Sequence, residues 1–486
     1  MKSGRIILSN SSYSTHDLLL AISRTTQRLK ERGVSEHDRV LFQCSNSFEF
    51  IVNFFSLIQL NASIVIIDSQ ITEEEVLHTY FPDSQAKWII TDRLTESAPH
   101  LIFIHEVNSS DCQDENELVP FLMDQWVKKE DAIILYSSGS TGKPKGIVRS
   151  GRSFIENIKQ TMERMNYHND DVFLPLLPFS HFYGLSLLFI WWFTQCSIVI
   201  THDRYPGKIL KAIFDHQVTI VDAAPSSYYS MIKVFQARPA LLEQYRNSEV
   251  RMWCVGGAAL TEKLAQDFQR QMGQPLLDGY GMSELGNIAL ATGSNPVGCG
   301  QPLPGVMIKI LDRNGLEKSL GEVGMIWVRS TARMSGYLHQ KELTQQKFIN
   351  HWFDTGDLGF LDENANLFVI GRAGQAVNRM GYLIEPAQLE QRVESLGYVN
   401  KVITLEDDKK GSLIAIFIEN PRNKEISVIR KEIIKSIPNY MYPDLLMLLN
   451  QFPLNRNGKV DLLRLKEIAK QELLERRTMK EELIYD

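Results

Sequence analysis

The sequence predicts an α/β protein: a large N-terminal domain of α/β layers carrying a β-rich subdomain, followed by a small α+β C-terminal domain. Three observations predict it. Apolar strand-like runs alternate with helical periodicity through the first ~260 residues, the pattern of layers built on mostly parallel sheets. After Gly300 the pattern changes to short strands and turns. Beyond about Arg372 a renewed mixture of helices and strands begins, and 486 residues exceed the ~250–300 at which single cores stop growing.

Taken in order, residues 15–33 have helical periodicity closed by Gly33. Strands are expected at 39–43, 62–68 and 87–92, with helices at 47–59 and 72–80 between them. The run 131–136 reads as a strand, followed by a Gly/Ser/Pro-rich loop and a helix near 153–165. Residues 185–200 (LSLLFIWWFTQCSIVI) are shorter than the ~20 residues of a spanning helix and include Thr194, Gln195 and Ser197, so a buried helix running into a strand is expected. Strands ending in small residues are expected at 219–225 and 252–257. The β-rich subdomain follows with strands at 306–312, 324–330 and 366–372. In the C-terminal part, helices are expected at 386–396 and 424–437, strands at 401–405 and 412–418, and a charged helical tail at 460–480.

Composition narrows the function. Hydrophobic content of 44% and charged content of 23% are those of a soluble globular protein, and a net charge of −6 gives no reason to expect nucleic acid. Five cysteines, odd in number and widely spread, show no metal or redox spacing, which suits free thiols in a reducing compartment. The N-terminal apolar run is too short for a signal-peptide core, and a cytoplasmic enzyme without a membrane span is expected.

The most informative segment is Ser137-Ser138-Gly139-Ser140-Thr141-Gly142-Lys143-Pro144-Lys145. Small and hydroxyl residues let backbone N–H and side-chain O–H groups approach a polyphosphate, and two lysines add charge. A Walker loop fails: only two residues separate Gly139 from Gly142, and Pro144 stands where that loop needs a magnesium-binding hydroxyl. A flexible Gly/Ser linker is the alternative, but linkers do not normally follow a buried strand directly. The loop strongly resembles the signature loop of the adenylate-forming superfamily, which comprises acyl-CoA synthetases, adenylation domains of nonribosomal peptide synthetases, and luciferases.

Four further segments match that superfamily in order over nearly the whole chain: Gly279-Tyr280-Gly281-Met282-Ser283-Glu284, Asp354-Thr355-Gly356-Asp357, Gly371-Arg372 and Asn457-Gly458-Lys459. The resemblance implies ATP and Mg²⁺ as cofactors and assigns roles by position. Tyr280 stacks on adenine, with Gly257, Gly279 and Gly281 beside the nucleotide. Ser283 bonds the α-phosphate and Glu284 holds Mg²⁺, which is content with one carboxylate plus substrate phosphates. Asp357 accepts from the ribose hydroxyls, Arg372 contacts the nucleotide, Lys143 neutralises phosphate, and Lys459 bridges the acid and the α-phosphate. The acid pocket is expected at His181, Phe182, Tyr183, Val255, Gly256 and Met282. No Ser-His-Asp set is convincing.

By the same resemblance, residues 1–372 bind ATP and the acid, and residues 375–486 form a mobile lid that carries Lys459 and turns to admit a phosphopantetheine thiol. Gly381 and Tyr382 line the thiol tunnel, and Gly374 stands at the hinge where the family usually has Asp or Lys. Amino-acid-activating relatives carry an Asp after the segment equivalent to 178–182; this chain has none there. The expectation is therefore an acid–thiol ligase acting on a small carboxylic acid, with CoA or a separate carrier protein as acceptor. The alternatives are an amino-acid-activating enzyme loading a peptidyl carrier protein, and a degenerate ATP-binding protein.

Overall fold

The computed structural model describes residues 4–9, 11–93, 98–108, 119–137, 144–201, 203, 205–258, 260, 262–312, 314–372, 377–379, 382–384, 386–407, 410–419, 424–453 and 460–485. The chain divides into two compact units, one of Met1–Ser137 with Lys145–Ala373 and the other mainly of Gly374–Asp486. Helices and several mixed sheets make the α/β class that the alternating pattern predicts.

Two large sheets build the first unit. In one of seven strands, Ile133–Ser137, Ser63–Ile66, Arg39–Gln43, Trp88–Thr91 and Leu101–Phe103 run parallel, and Lys145–Arg149 and Gly336–Tyr337 add antiparallel at one edge. In the other, of nine strands, Val172–Pro175, Ile220–Ala223, Met252–Val255 and Leu276–Met282 are parallel neighbours. Parallel strands covered on both faces read as continuous apolar runs, and Ser63–Ile66, Ile220–Ala223 and Met252–Val255 are buried at every position. The helices Phe48–Gln59, Gly151–Met165 and Phe182–Thr194 contribute to one core with residues from both sheets. Phe182–Thr194 is apolar around its whole circumference, and Gly184 lets it pass the Pro178 carbonyl, which a Cβ would meet at 2.2 Å.

The β-rich part forms a five-stranded sheet from Met307–Leu311, Gly324–Arg329, Phe348–Ile349, Trp352–Leu361 and Leu367–Arg372. Two expectations change here. The strand Lys145–Arg149 is absent from the sequence reading, because KGIVR is short and its ends are charged. The helix expected at 72–80 is three pieces, Glu73–Glu75, a π-helical Val76–Tyr80, and Phe81–Ser84, with Pro82 in the last.

The second unit has its own core around the sheet Asn400–Asp407, Gly411–Glu419 and Leu445–Leu449, with helices Pro386–Ser395 and Ile426–Ser436. The buried Arg379 guanidinium is anchored there by Asp444 at 2.9 Å and by the Tyr442 carbonyl at 2.8 Å. The helix Leu462–Tyr485 closes the chain. No helix among the described residues is long and apolar enough to cross a membrane. Cys44, Cys196, Cys254 and Cys299 are buried free thiols.

Candidate active site

The phosphate-loop segment lies at the end of a hairpin. Ile133–Ser137 and Lys145–Arg149 are antiparallel, with Ser137 opposite Lys145. Residues 138–143, and with them Ser138, Gly139, Ser140, Thr141, Gly142 and Lys143, lie outside the described residues, as do Lys459, Gly374 and Gly381. Lys145 reaches over the Tyr337 ring, 6.0 Å from its centre.

Tyr337 connects this hairpin to the second motif: its hydroxyl donates to Glu284 Oε1 at 3.0 Å. The hairpin also supplies Arg149, wholly buried, whose Nη1 donates to the Ser283 carbonyl at 2.8 Å and whose Nη2 donates to the Ala332 carbonyl. Its guanidinium lies 4.8 Å from the centre of the Phe182 ring. Burial pushes the Arg149 pKa down to about 9, and the negative charge of Glu284 opposes that fall. The Ser283–Glu284 turn is thus clamped from below by a guanidinium fork.

Tyr280, Gly281 and Met282 are not in a turn but in the strand Leu276–Met282, paired antiparallel with Gly286–Leu290 through a bulge at Tyr280/Gly281. The chain reverses tightly at Gly286, whose φ is +79° and where a Cβ would meet the Asn157 amide at 2.4 Å. The third motif is likewise part of a strand, Trp352–Leu361. There Asp357 pairs across the ladder with Arg372, and its Oδ2 accepts from the Tyr280 hydroxyl at 2.5 Å. The expected adenine and ribose residues therefore meet, although 77 positions separate them. Among the described residues no group of three or more His, Cys, Asp or Glu could hold a metal, so Glu284 stands as a single carboxylate. One carboxylate suits Mg²⁺ that takes its other ligands from phosphates and water.

Open α/β sheets bind ligands at the carboxyl ends of their parallel strands, and two of the six residues expected in the acid pocket, Tyr183 and Val255, line a cavity there. This small cavity of about 20 Å³ is lined by Tyr183, Val255 and Gly279, together with Asp222, Cys254 and Asp278. Gly256 makes room for the Tyr183 ring, which a Cβ would meet at 2.7 Å. Phe182 faces the core instead, and Met282 lies outside the cavity lining. His181, at the start of the helix Phe182–Thr194, places Nε2 3.0 Å from Asp68 Oδ2, and the Ser180 hydroxyl donates to the same oxygen at 3.3 Å. Burial would raise the Asp68 pKa, but bonds from His181, the Gln70 N–H and Ser180 together hold it below the ordinary carboxylate value.

Sequence reasoning missed Asp68, Arg149, Asp222, Asp278 and Tyr337. Each is a polar residue in or beside an apolar strand; Asp68, Arg149, Asp222 and Tyr337 have partners far along the chain, while Asp278 bonds its neighbour Gly279. A charge inside such a strand was the available signal. In the second unit Tyr382 stacks on Tyr440, with ring centres 4.0 Å apart and planes 2° from parallel.

The comparisons agree with one another. The family model described as "AMP-binding enzyme" matches residues 2–338. A 4-coumarate-CoA ligase of Narcissus pseudonarcissus is 25% identical, over 93% of this chain and 88% of that protein. A 2-succinylbenzoate–CoA ligase of Enterococcus faecalis is 25% identical, over 87% of each. Among solved structures, the o-succinylbenzoate CoA synthetase of Bacillus subtilis superimposes with a TM-score of 0.83 at 23% identity, covering 96% of each chain.

Proposed function

Because this chain belongs to the AMP-binding enzyme family of adenylate-forming enzymes, we propose that it activates a small carboxylic acid with ATP and passes the acyl group to the thiol of CoA. The observation that carries this reading is the meeting of the motifs: Tyr280 with Asp357, and Glu284 beside the hairpin that bears the phosphate loop. Names of the sequence relatives, both acid–CoA ligases, support CoA over a carrier protein as acceptor.

A carboxylate is a poor acylating agent because oxide is a poor leaving group. Its oxygen attacks the α-phosphorus, a new O–P bond forms, and the bond to pyrophosphate breaks. The thiolate then attacks the acyl carbon and AMP departs. Two anions must approach in the first step, so positioning and charge neutralisation carry the catalysis. Residues 1–372 bind ATP and the acid, with Tyr280 and Asp357 fixing the nucleoside and Ser283 and Lys143 meeting phosphate. Glu284 would hold Mg²⁺, which supplies charge neutralisation at the phosphates when bound. Lys459, in the lid formed by 375–486, bridges the acid and the α-phosphate, and Gly374, Gly381 and Tyr382 serve the turn of the lid and the thiol path. Asp68 fixes the orientation of the His181 ring.

The test is ATP–pyrophosphate exchange over a panel of fatty, aryl and amino acids, followed by CoA and by a phosphopantetheinylated carrier protein as acceptors. Exchange with aryl or acyl acids and turnover with CoA is the expected result. Exchange confined to amino acids, with transfer only to the carrier, would establish the carrier-loading alternative. Absence of exchange in protein that binds ATP would mean a degenerate enzyme.

A further inference from the structure

The acid pocket has an acidic floor. Asp222 is the penultimate residue of the strand Ile220–Ala223 and is 1% exposed. One of its oxygens, Oδ1, accepts from the Tyr183 hydroxyl at 2.8 Å; the other, Oδ2, is buried against the cavity with no hydrogen-bond partner. A buried carboxylate oxygen without a donor is costly, and native proteins rarely leave one. Asp278 lines the same cavity, with Oδ1 taken by the Gly279 N–H at 2.9 Å and Oδ2 facing the Cys299 thiol at 3.4 Å. Among the described residues no Lys, Arg or His lines this cavity to offset the two acids.

We propose that this floor selects acids bearing an O–H or N–H group at the end remote from the carboxylate, the donor going to Asp222 Oδ2. The proposal rests on the acyl-adenylate reading, from which the carboxylate must lie at the mouth, beside the nucleotide motifs. Position within the pocket then separates a remote donor from an α-ammonium group. His181, two residues before Tyr183, has a side chain 40% exposed, whereas the Tyr183 hydroxyl is inserted down to Asp222. The floor is thus reached from the helix Phe182–Thr194 by Tyr183, at a carboxyl that is 1% exposed. An α-ammonium, bonded to the carbon next to the carboxylate, stays at the mouth and leaves Oδ2 unserved. Burial raises Asp222 and Asp278 to about 7, and a substrate O–H or N–H that donates to Oδ2 favours the ionised Asp222 that accepts it.

The experiment compares matched acids that differ only at the remote position, carrying hydroxyl, amino or methyl, in the unaltered protein and in Asp222→Asn. Pyrophosphate exchange and calorimetric binding of each acid are both measured. Expected in the unaltered protein is a preference of about 10-fold or more in kcat/KM for the hydroxyl or amino member over methyl, since a site that bonds a polar group rejects the analogue lacking it. The hydroxyl and amino arms tell which donor is used. Asp222→Asn keeps the shape and should compress that preference to less than about 3-fold, mainly through KM. Equal or better use of the methyl acid, or a preference unchanged by Asp222→Asn, overturns the proposal and leaves Oδ2 to a buried water. Preference for acids whose only donor is an α-ammonium overturns it too. Should no acid support exchange while calorimetry still shows donor-dependent, Asp222-dependent binding, the floor stands and the adenylation reading falls. No exchange and no donor-dependent binding sinks both.

Discussion

At the scale of single residues, two buried charges do unlike work. Arg149 is a fork whose two ends hold the carbonyls of Ser283 and Ala332 and whose plane lies on Phe182. Arg149→Met leaves both carbonyls unpaired in the core, and we expect a loss of about 2–4 kcal/mol in chemical denaturation of the enzyme. Arg149→Lys should not restore it, because an ammonium cannot reproduce the fork. Asp222 acts in the opposite sense on stability. Its pKa rises from 3.8 to about 7 on folding, so the folded state binds more protons between those values and stability falls as pH climbs through that window. Asp222→Asn should therefore lessen the drop in denaturation midpoint between pH 5 and pH 7, by an amount on the order of 1–3 kcal/mol. An unchanged slope would place the proton elsewhere. Neither residue was legible from the sequence, in which Arg149 ends KGIVR and Asp222 sits inside TIVDAAP. What distinguishes them is a partner 134 residues away for Arg149 and 39 residues away for Asp222.

At the scale of elements, the motifs were legible as chemistry but not as geometry. The run GYGMSE points to a nucleotide site through its resemblance to the superfamily motif, yet its glycines and tyrosine belong to a bulged strand because Gly286–Leu290 returns alongside it. DTGD likewise reads as a polar turn, and pairing with Gly324–Arg329 and Leu367–Arg372 draws it into a ten-residue strand. Helices with strong caps and apolar strands were visible because local signals sufficed, as with Thr15–Glu31 behind its Ser14 capping box. The contact between the two motif strands supplies a graded test. Asp357→Ala should raise the KM for ATP in pyrophosphate exchange by about 10–100-fold, as expected for a charged hydrogen-bond acceptor. Tyr280→Phe keeps the ring and removes the hydroxyl that bonds Asp357, so a rise of about 2–10-fold is expected. A larger effect from Tyr280→Phe than from Asp357→Ala would contradict these roles.

At the scale of the whole molecule, the chain's division places the GYGMSE and DTGD segments in one unit and the stretch Gly374–Asp486, which includes Lys459, in the other. If the lid serves only the first half-reaction with this lysine, Lys459→Ala should abolish pyrophosphate exchange and spare CoA acylation from supplied acyl-adenylate, measured by thioester formation. Equal loss in both steps would argue against a lid that alternates. The topology has a consequence for synthesis as well. Arg5–Ile7 is not an end appended to the nine-stranded sheet but an internal member, hydrogen-bonded on one side to Ser12–Ser14 and on the other to Ser197–Val199. Its partner Ser197 lies 192 residues downstream of Arg5. A ribosome working at about 5–20 residues per second delivers that partner roughly 10–40 s after the strand itself. Through that interval the hairpin made by Arg5–Ile7 and Ser12–Ser14 has an open edge, and such pairs are marginal alone in water. The large unit thus cannot be completed from its N-terminus outward, and a nascent chain halted before Ser197 should be sensitive to protease at Arg5 until the downstream strand emerges.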